Sequence, residues 1–237
     1  MFRLTIAVMA SLFGLSQLAA AADLPTPYAP SAYPTKAPPP AYSPGFSWAG
    51  FYLGVNAGWG WSSGDGTIAF GGPSGTVSGS GNGFVGGIQG GYNWQMANFV
   101  FGVETDFQAG TGSGDLNATA GATTMTGELK TPWFGTIRGR VGYAMDRWLF
   151  YVTGGAAYGQ AELDGTLSTT GSFSSSATYW TWTAGAGIET ALWDRWTTKL
   201  EYLYVGSPNE FPVPPGTTAL DGDLHAHLLR LGLNYRF

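Results

Sequence analysis

Cysteine is absent from this 237-residue chain, so neither a disulfide framework nor a thiolate metal site can be built. Charge is nearly as scarce. Asp, Glu, Lys and Arg make up 11% of the residues, under half the share of about 25% usual in globular domains. Outside the first 22 residues, no stretch approaches the roughly 20 consecutive apolar residues of a spanning helix. Basic residues are few, ten against 15 acids for a net charge of −5, so a nucleic-acid partner is excluded for want of groups to neutralise phosphates. What the chain has instead is 38 glycines, ten tryptophans and 15% aromatics, at a mean hydropathy of only +0.01. That combination is expected of strands whose residues alternate between a lipid face and a lumen face.

The N-terminus carries a processing signal. Arg3 supplies a sparse positive start, Leu4 to Leu18 an apolar core, and Ala20 and Ala22 a small-x-small pattern before Asp23. Residues 1–22 are therefore expected to be an export signal cleaved after Ala22. In residues 23–45 the chain changes character, with eight of its 14 prolines (Pro25, Pro27, Pro30, Pro34, Pro38, Pro39, Pro40 and Pro44) among Ala, Tyr and Ser. Such a segment favours extended polyproline II and cannot build a core. The favoured reading is a disordered periplasmic tail; the alternative is a spacer touching the cell wall through Tyr28, Tyr33 and Tyr42.

From Gly50 onward period-two alternation predicts strand after strand. Phe51, Leu53, Val55, Trp59 and Trp61 share one parity against Gly54, Asn56, Gly58 and Gly60. Further runs cover residues 83–94, 99–108, 133–143, 148–158, 180–189 and 196–204. The last places Leu229, Leu231, Leu233, Tyr235 and Phe237 opposite Arg230, Gly232, Asn234 and Arg236. Eight strands need seven connections. Three are short, near Gln95–Asn98, Ala144–Arg147 and Trp193–Arg195; four read as long loops, near Ser62–Asn82, Gly110–Lys130, Gln160–Thr178 and Gly206–Leu224. Alternating long and short connections are those of an outer-membrane barrel, with short periplasmic turns and both ends in the periplasm. The predicted fold is all-β: an eight-stranded antiparallel up-and-down transmembrane β-barrel over residues 46–237.

A soluble barrel would reverse the faces and expose a surface poor in charge and rich in glycine, which would dissolve badly. In the membrane reading the outward aromatics form two girdles with rings at the headgroup boundary. Trp94, Phe99, Tyr143, Trp148 and Trp196 belong to the periplasmic one; Trp59, Trp61, Phe107, Trp133, Tyr158, Trp180 and Tyr204 belong to the outer one. Asp-Arg-Trp recurs at 146–148 and 194–196, each time placing Trp at the start of a strand.

Phe46-Ser-Trp48-Ala-Gly50-Phe51-Tyr52-Leu-Gly54-Val-Asn56-Ala-Gly58-Trp59-Gly60-Trp61 resembles the first strand of the alphaproteobacterial outer-membrane proteins of the Omp25/Omp31 type. Thr181-Trp182-Thr-Ala-Gly185-Ala-Gly187-Ile-Glu189, Lys199-Leu-Glu201-Tyr202-Leu-Tyr204-Val, the junction at Ala21 to Pro25 and the ending Leu231-Gly-Leu233-Asn234-Tyr235-Arg236-Phe237 are similar too. The resemblance covers residues 46–237 apart from the loops. It implies an abundant surface protein, often called a porin and related in shape to the OmpA membrane domain. It also implies that Leu233, Tyr235 and Phe237 are read by the outer-membrane assembly machinery.

The lumen parity carries Glu104, Asp106, Glu189 and Glu201 against Arg138, Arg140, Lys199 and Arg230, with Arg236 near the periplasmic rim. An eight-stranded barrel is only wide enough for side chains to fill, and a buried ion must be paired. A salt-bridged plug is therefore expected, with Glu104 and Asp106 reaching Arg138 and Arg140. An ion or proton path is the alternative. Enzyme chemistry is not expected, nor any cofactor: the two histidines, His225 and His227, share an outward face, and only Asp221 or Asp223 could extend them into a metal site. The long connections carry Asp65, Asp115, Glu128, Glu162, Asp164, Glu210, Asp221 and Asp223 among Gly, Ser and Thr, with Phe211 the one aromatic hint of a binding loop. They are expected to be solvated, or to meet lipopolysaccharide through divalent cations. Expected partners are outer-membrane lipid and lipopolysaccharide, the assembly machinery and, through the proline-rich tail, the cell wall. With the chain stopping at Phe237, no wall-binding domain is expected after the barrel. The leading function is a structural barrel supporting envelope integrity; the alternatives are a narrow or gated porin for small solutes and loop-mediated surface binding.

Overall fold

The computed structural model describes residues 46–69, 72, 74–208, 210 and 212–237. The export signal with Ala22, the proline-rich segment and Phe211 lie outside the described residues. The described chain forms β1 (Gly50–Ala69), β2 (Ser74–Met96), β3 (Phe99–Gly110), β4 (Ser113–Ala120), β5 (Thr123–Met145), β6 (Trp148–Leu167), β7 (Gly171–Ala191), β8 (Trp196–Val205) and β9 (Ala219–Arg236). β3 and β4 run end to end between β2 and β5. They are halves of one strand, so the wall has eight. Each strand pairs antiparallel with its chain neighbours, and β9 pairs with β1 from Tyr52 opposite Arg236 to Ala69 opposite Ala219. Closure leaves the membrane-height wall without an edge strand.

Three tight turns gather at one end of the barrel. Two are two-residue connections whose first residue, Ala97 or Asp146, sits at φ 54°. Positive φ in such a turn matches the right-handed twist of the flanking strands. Asn98 holds the first of them to the next, donating from Nδ2 to the Ala144 carbonyl at 2.9 Å. Phe237 ends at the same place, its N–H donating to the Phe51 carbonyl at 3.1 Å.

Over roughly the half of the wall nearest these turns, the faces are reversed relative to a soluble sheet. Phe51, Leu53, Val55, Ile88, Val103, Ile137, Val152 and Leu231 point outward and are exposed, while the opposite parity is buried and polar. Only an apolar solvent can cover such a belt.

The long connections differ from the sequence expectation. Residues 62–69, 74–82, 113–120, 123–130, 160–167 and 171–178 are not loops but strand, continuing the barrel wall well past the aromatic band. Among the described residues, only those between Val205 and Ala219 join strands without regular structure over more than four positions. In the extension the faces revert to the soluble sense. Ile68, Ala118, Met125, Leu163 and Leu167 are buried inside, joined by the partly buried Val77, Leu116 and Phe173. Outside stand Ser, Thr and Asp. The same strands thus carry polar-in, apolar-out pattern below and apolar-in, polar-out pattern above. β5 changes register at Lys130–Trp133, where Pro132 sits. Proline lacks the N–H a ladder needs and is tolerated at such a bulge. The shift moves inward-facing positions from even (Phe134, Thr136, Arg138) to odd (Leu129, Met125). Alternation counted through residues 123–143 as one run would therefore cancel.

Candidate functional site

The charged lumen is assembled from five strands. Glu104 and Asp106 come from β3, Arg138 and Arg140 from β5, Glu189 from β7, Lys199 and Glu201 from β8, and Arg230 from β9. None of the eight is more than 3% exposed. Period two places each charge on the inner face, and antiparallel register sets Glu104 opposite Arg138 and Glu201 opposite Arg230 on neighbouring strands.

Arg138 is the hub. Its Nη2 bonds Glu104 and lies 3.1 Å from Asp106 Oδ2, its Nη1 is 3.1 Å from Glu201 Oε2, and its Nε donates to Thr136 Oγ1 at 2.9 Å. Lys199 Nζ reaches both oxygens of Glu104 at 2.8 Å. Arg230 bridges Glu201 and Asp106, the latter at 3.2 Å. Arg140 goes elsewhere than expected. Its closest acid is Glu189, at 3.0 Å, with Glu104 at 3.7 Å and Asp106 not among its partners. The cause is local: Asn93 Oδ1 accepts from Arg140 Nε at 2.9 Å, and the rings of Tyr52 and Tyr151 flank the guanidinium at 4.8 and 5.2 Å. These contacts turn it toward β7.

Uncharged polar groups on the inner face complete the network. An amide chain runs from Asn56 to Gln89 (3.1 Å), from Gln89 to Asn234 (2.6 Å) and from Asn234 to Glu189 (3.0 Å). Thr197 also donates to Glu189. Tyr52 and Tyr151 donate to Glu104 and Glu201 at 2.7 and 2.9 Å. Their inward parity was legible; their reach across a neighbouring glycine was not.

Both ends of this layer are stoppered. At the short-turn end Trp48 is fully buried against Val100, Ala144, Leu149 and Tyr151. Its backbone N–H donates to Gln95 Oε1 at 2.6 Å and its backbone carbonyl accepts from Asn93 at 3.1 Å. Arg236 caps it, bonding the carbonyls of Ser47 and, at 2.8 Å, Ala49, with its guanidinium 4.8 Å from the Phe46 ring. Trp48 extends the inward even parity of Tyr52 backward past Gly50, a signal present in the sequence. At the other end Val85, Phe134, Leu203 and Leu228 form an apolar layer.

Outside, Trp59, Trp61, Trp94, Trp148, Trp180 and Trp196 are exposed. Toward the long hairpins Phe107, Trp133, Tyr158 and Trp180 follow one another ring to ring at 5.7, 6.3 and 5.2 Å. Toward the short turns Phe99 meets Tyr143 at 5.5 Å, and Tyr235 lies between Trp196 and Phe237 at 5.2 and 5.3 Å. His225 and His227 sit on the outer face, stacked on Tyr204 and Trp61 at 6.0 and 5.6 Å. Among the described residues, no three His, Asp or Glu side chains are grouped to hold a metal. Beyond the aromatic band, Glu128 accepts from the Lys130 ammonium at 3.2 Å, with Asp164 at 3.6 Å, which raises the lysine above its ordinary pKa.

The family model for the outer membrane protein beta-barrel domain matches residues 5–237. The 31 kDa outer-membrane immunogenic protein of Brucella melitensis is 37% identical over 98% of both chains. The 22 kDa outer membrane protein of Rhizobium leguminosarum is 35% identical, over 82% of this chain and 80% of its own. The 25 kDa outer-membrane immunogenic protein of Brucella abortus is 30% identical, over 98% and 97%.

Proposed function

The chain belongs to the outer membrane protein β-barrel family, with the Omp25/Omp31 proteins, and resides in the outer membrane of a Gram-negative bacterium; from that premise we propose that it is a closed structural barrel. It supports envelope integrity, exposes its long hairpins at the cell surface and carries no chemistry. The observation that carries this reading is the lumen: four acids and four bases, all buried, fill the bore between Trp48 and the Val85–Phe134–Leu203–Leu228 layer. A pore would need those groups hydrated. Here each is held by partners from other strands, and opening the path would strip several charged hydrogen bonds at once.

In this reading the short turns and both ends of the barrel's chain face the periplasm, and the soluble-patterned extension stands outside. The names of the Brucella relatives, which call them immunogenic, fit that orientation. The aromatic bands meet lipid headgroups, the acidic hairpin surface meets lipopolysaccharide through divalent cations, and the outward edge of Leu233, Tyr235 and Phe237 is offered to the assembly machinery. Planar-bilayer recording of refolded protein, together with liposome swelling, tests the function. The expected result is no steady large conductance and no swelling with small sugars. Steady large conductance from pure protein would overturn the closed barrel in favour of a solute-passing porin.

A further inference from the structure

Above the Val85–Phe134–Leu203–Leu228 layer the barrel is not filled. Two half-open cavities of about 170 and 370 Å³ are lined by the strand extension. They share Gly79, Leu116, Leu129, Pro208 and Leu224 as walls, so they adjoin. The inward side chains here are Ile68, Val77, Leu116, Leu129 and Leu163. Glycine at 79, 81, 83, 112 and 114 keeps the remaining wall thin. An envelope protein that needed only a rigid stalk would gain by packing this space, because each unfilled methylene forfeits contact energy.

The wall beside the cavities is also incomplete. β8 stops at Val205, so β7 pairs with it only from Thr183 onward, and β9 only from Ala226 onward. Among the described residues, 171–182 of β7 and 219–225 of β9 thus have no strand between them. Ser207 spans the foot of that gap, its carbonyl accepting from Thr181 Oγ1 at 2.8 Å and its hydroxyl from the Leu224 N–H at 3.2 Å. Trp180 and Trp182 stand exposed on β7 at the same height. The gap therefore begins at the aromatic band, where apolar solutes partition from the lipid surface.

We propose that this chamber is a binding site for an uncharged, slender hydrophobic molecule, of the size of a single hydrocarbon chain or two fused aromatic rings. The volume falls in the range of small-molecule pockets, roughly 300–1,000 Å³. The charge at its border selects against an anion. Asp65, Asp115, Asp221 and Asp223, whose strands place them on the outer face, and Glu210 border the cavities, as do His225 and His227, whereas no lysine or arginine does among the described residues. A carboxylate or phosphate headgroup would meet repulsion from these carboxylates and find no lysine or arginine to bind it. Neither occupancy nor selectivity requires the lumen below to be open or closed, so the proposal stands apart from the conductance test.

The test uses the full chain refolded into lipid nanodiscs, with two fluorescent probes: uncharged N-phenyl-1-naphthylamine and anionic cis-parinarate. Saturable emission of the uncharged probe above that of empty nanodiscs is expected, with parinarate at least tenfold weaker. Leu129→Trp fills the shared wall and should weaken the uncharged probe at least tenfold, whereas Ile88→Trp on the lipid face should not. Leu116→Trp is the second filling variant, and retained heat-modifiable migration on gels shows that each variant folds. Absence of saturable binding overturns the site, as does binding that survives in a folded filling variant. Parinarate binding as tightly as the uncharged probe overturns the charge selectivity.

Discussion

The Tyr52 hydroxyl donates to Glu104 Oε2 at 2.7 Å although the two residues lie on strands that do not touch. Gly91 stands between them, opposite Tyr52 on one side and Glu104 on the other. The far side of the lumen repeats the device: Tyr151 donates to Glu201 Oε2 at 2.9 Å across Gly187, which faces both. Each phenol lies over a glycine to bring a hydroxyl to a carboxylate that arginine and lysine already engage. Arg140 is held between the two rings.

A methyl group at either glycine should therefore disturb the ion layer. A Cβ on Gly91 or Gly187 would stand 2.5 Å from the tyrosine oxygen, so the ring must swing off its acid. Gly91→Ala and Gly187→Ala are each expected to cost about 1–3 kcal/mol from overpacking. Tyr52→Phe should cost a comparable amount, since it removes one donor from a buried carboxylate. Urea unfolding of the refolded protein in detergent micelles reads both. Unchanged midpoints for both alanine variants would show that the tyrosines are free to sit elsewhere.

Arg138 touches three carboxylates, so its loss leaves Glu104, Asp106 and Glu201 short of a cation together. Arg138→Met should destabilise the barrel by about 3–5 kcal/mol, the usual cost of stranding a buried partner. Lys130→Met, which breaks an exposed contact with Glu128 and Asp164, should leave the unfolding midpoint where it was. Equal effects from the two substitutions would mean that the lumen is hydrated and its charges screened.

The strands at membrane height were legible because their two faces differ so sharply: one carries Phe101, Val103 and Phe107, the other Gly102, Glu104 and Asp106. The lumen charges followed from the same parity. The extension was not legible, for a physical reason. Outside lipid, a strand needs only an occasional apolar residue facing in, and Leu116, Met125, Leu163 and Leu167 are diluted by Gly, Ser and Thr that read as loop. The register shift around Pro132 also cancels the alternation where β5 crosses from one regime to the other. Partner choice within the lumen was legible only for adjacent strands. Arg140 turning to Glu189 depends on Asn93 and two tyrosines that come together only when the ring closes.

The reversal of faces fixes where lipid ends, and a charge can be used to find it. Val152 is 61% exposed on β6 below the aromatic band, whereas Ser174 on β7 faces out from the extension. Val152→Lys should cost about 2–4 kcal/mol, as lysine does near the bilayer midplane, and reduce the folded band after refolding into vesicles. Ser174→Lys should fold like the parent. Failure of the second variant would place the extension in lipid.

Phe237 closes the ring by donating its N–H to the Phe51 carbonyl, and its ring packs at 5.3 Å on Tyr235. With exposed Leu233 and half-buried Tyr235, exposed Phe237 makes an apolar edge beside the short turns. Changing Phe237 and Tyr235 to Ser removes the edge while keeping the backbone bond. The expected outcome is less protein in the outer membrane of cells, with refolding of the purified chain nearly unimpaired. Equal losses in both assays would make the edge a matter of barrel stability rather than of recognition during assembly.

Gln108 offers the sharpest contrast with the ion layer. It is fully buried on β3, two residues beyond Asp106, yet neither atom of its amide meets a protein partner. A buried amide without hydrogen bonds costs about 1–3 kcal/mol, whereas methionine has nearly the same length and nothing to satisfy. Just above lie Val85, Phe134 and Leu203, an apolar layer against which a thioether would pack. Gln108→Met is therefore expected to raise the urea midpoint, through a gain in unfolding free energy of up to about 1 kcal/mol, while every neighbouring polar-to-apolar change in the ion layer lowers it. A loss of stability at Gln108 would instead identify a buried water bonded to that amide, since bridging water is the remaining way to satisfy it. The sign of one substitution thus decides whether the polar core stops at Asp106 or runs on to the floor of the upper chamber.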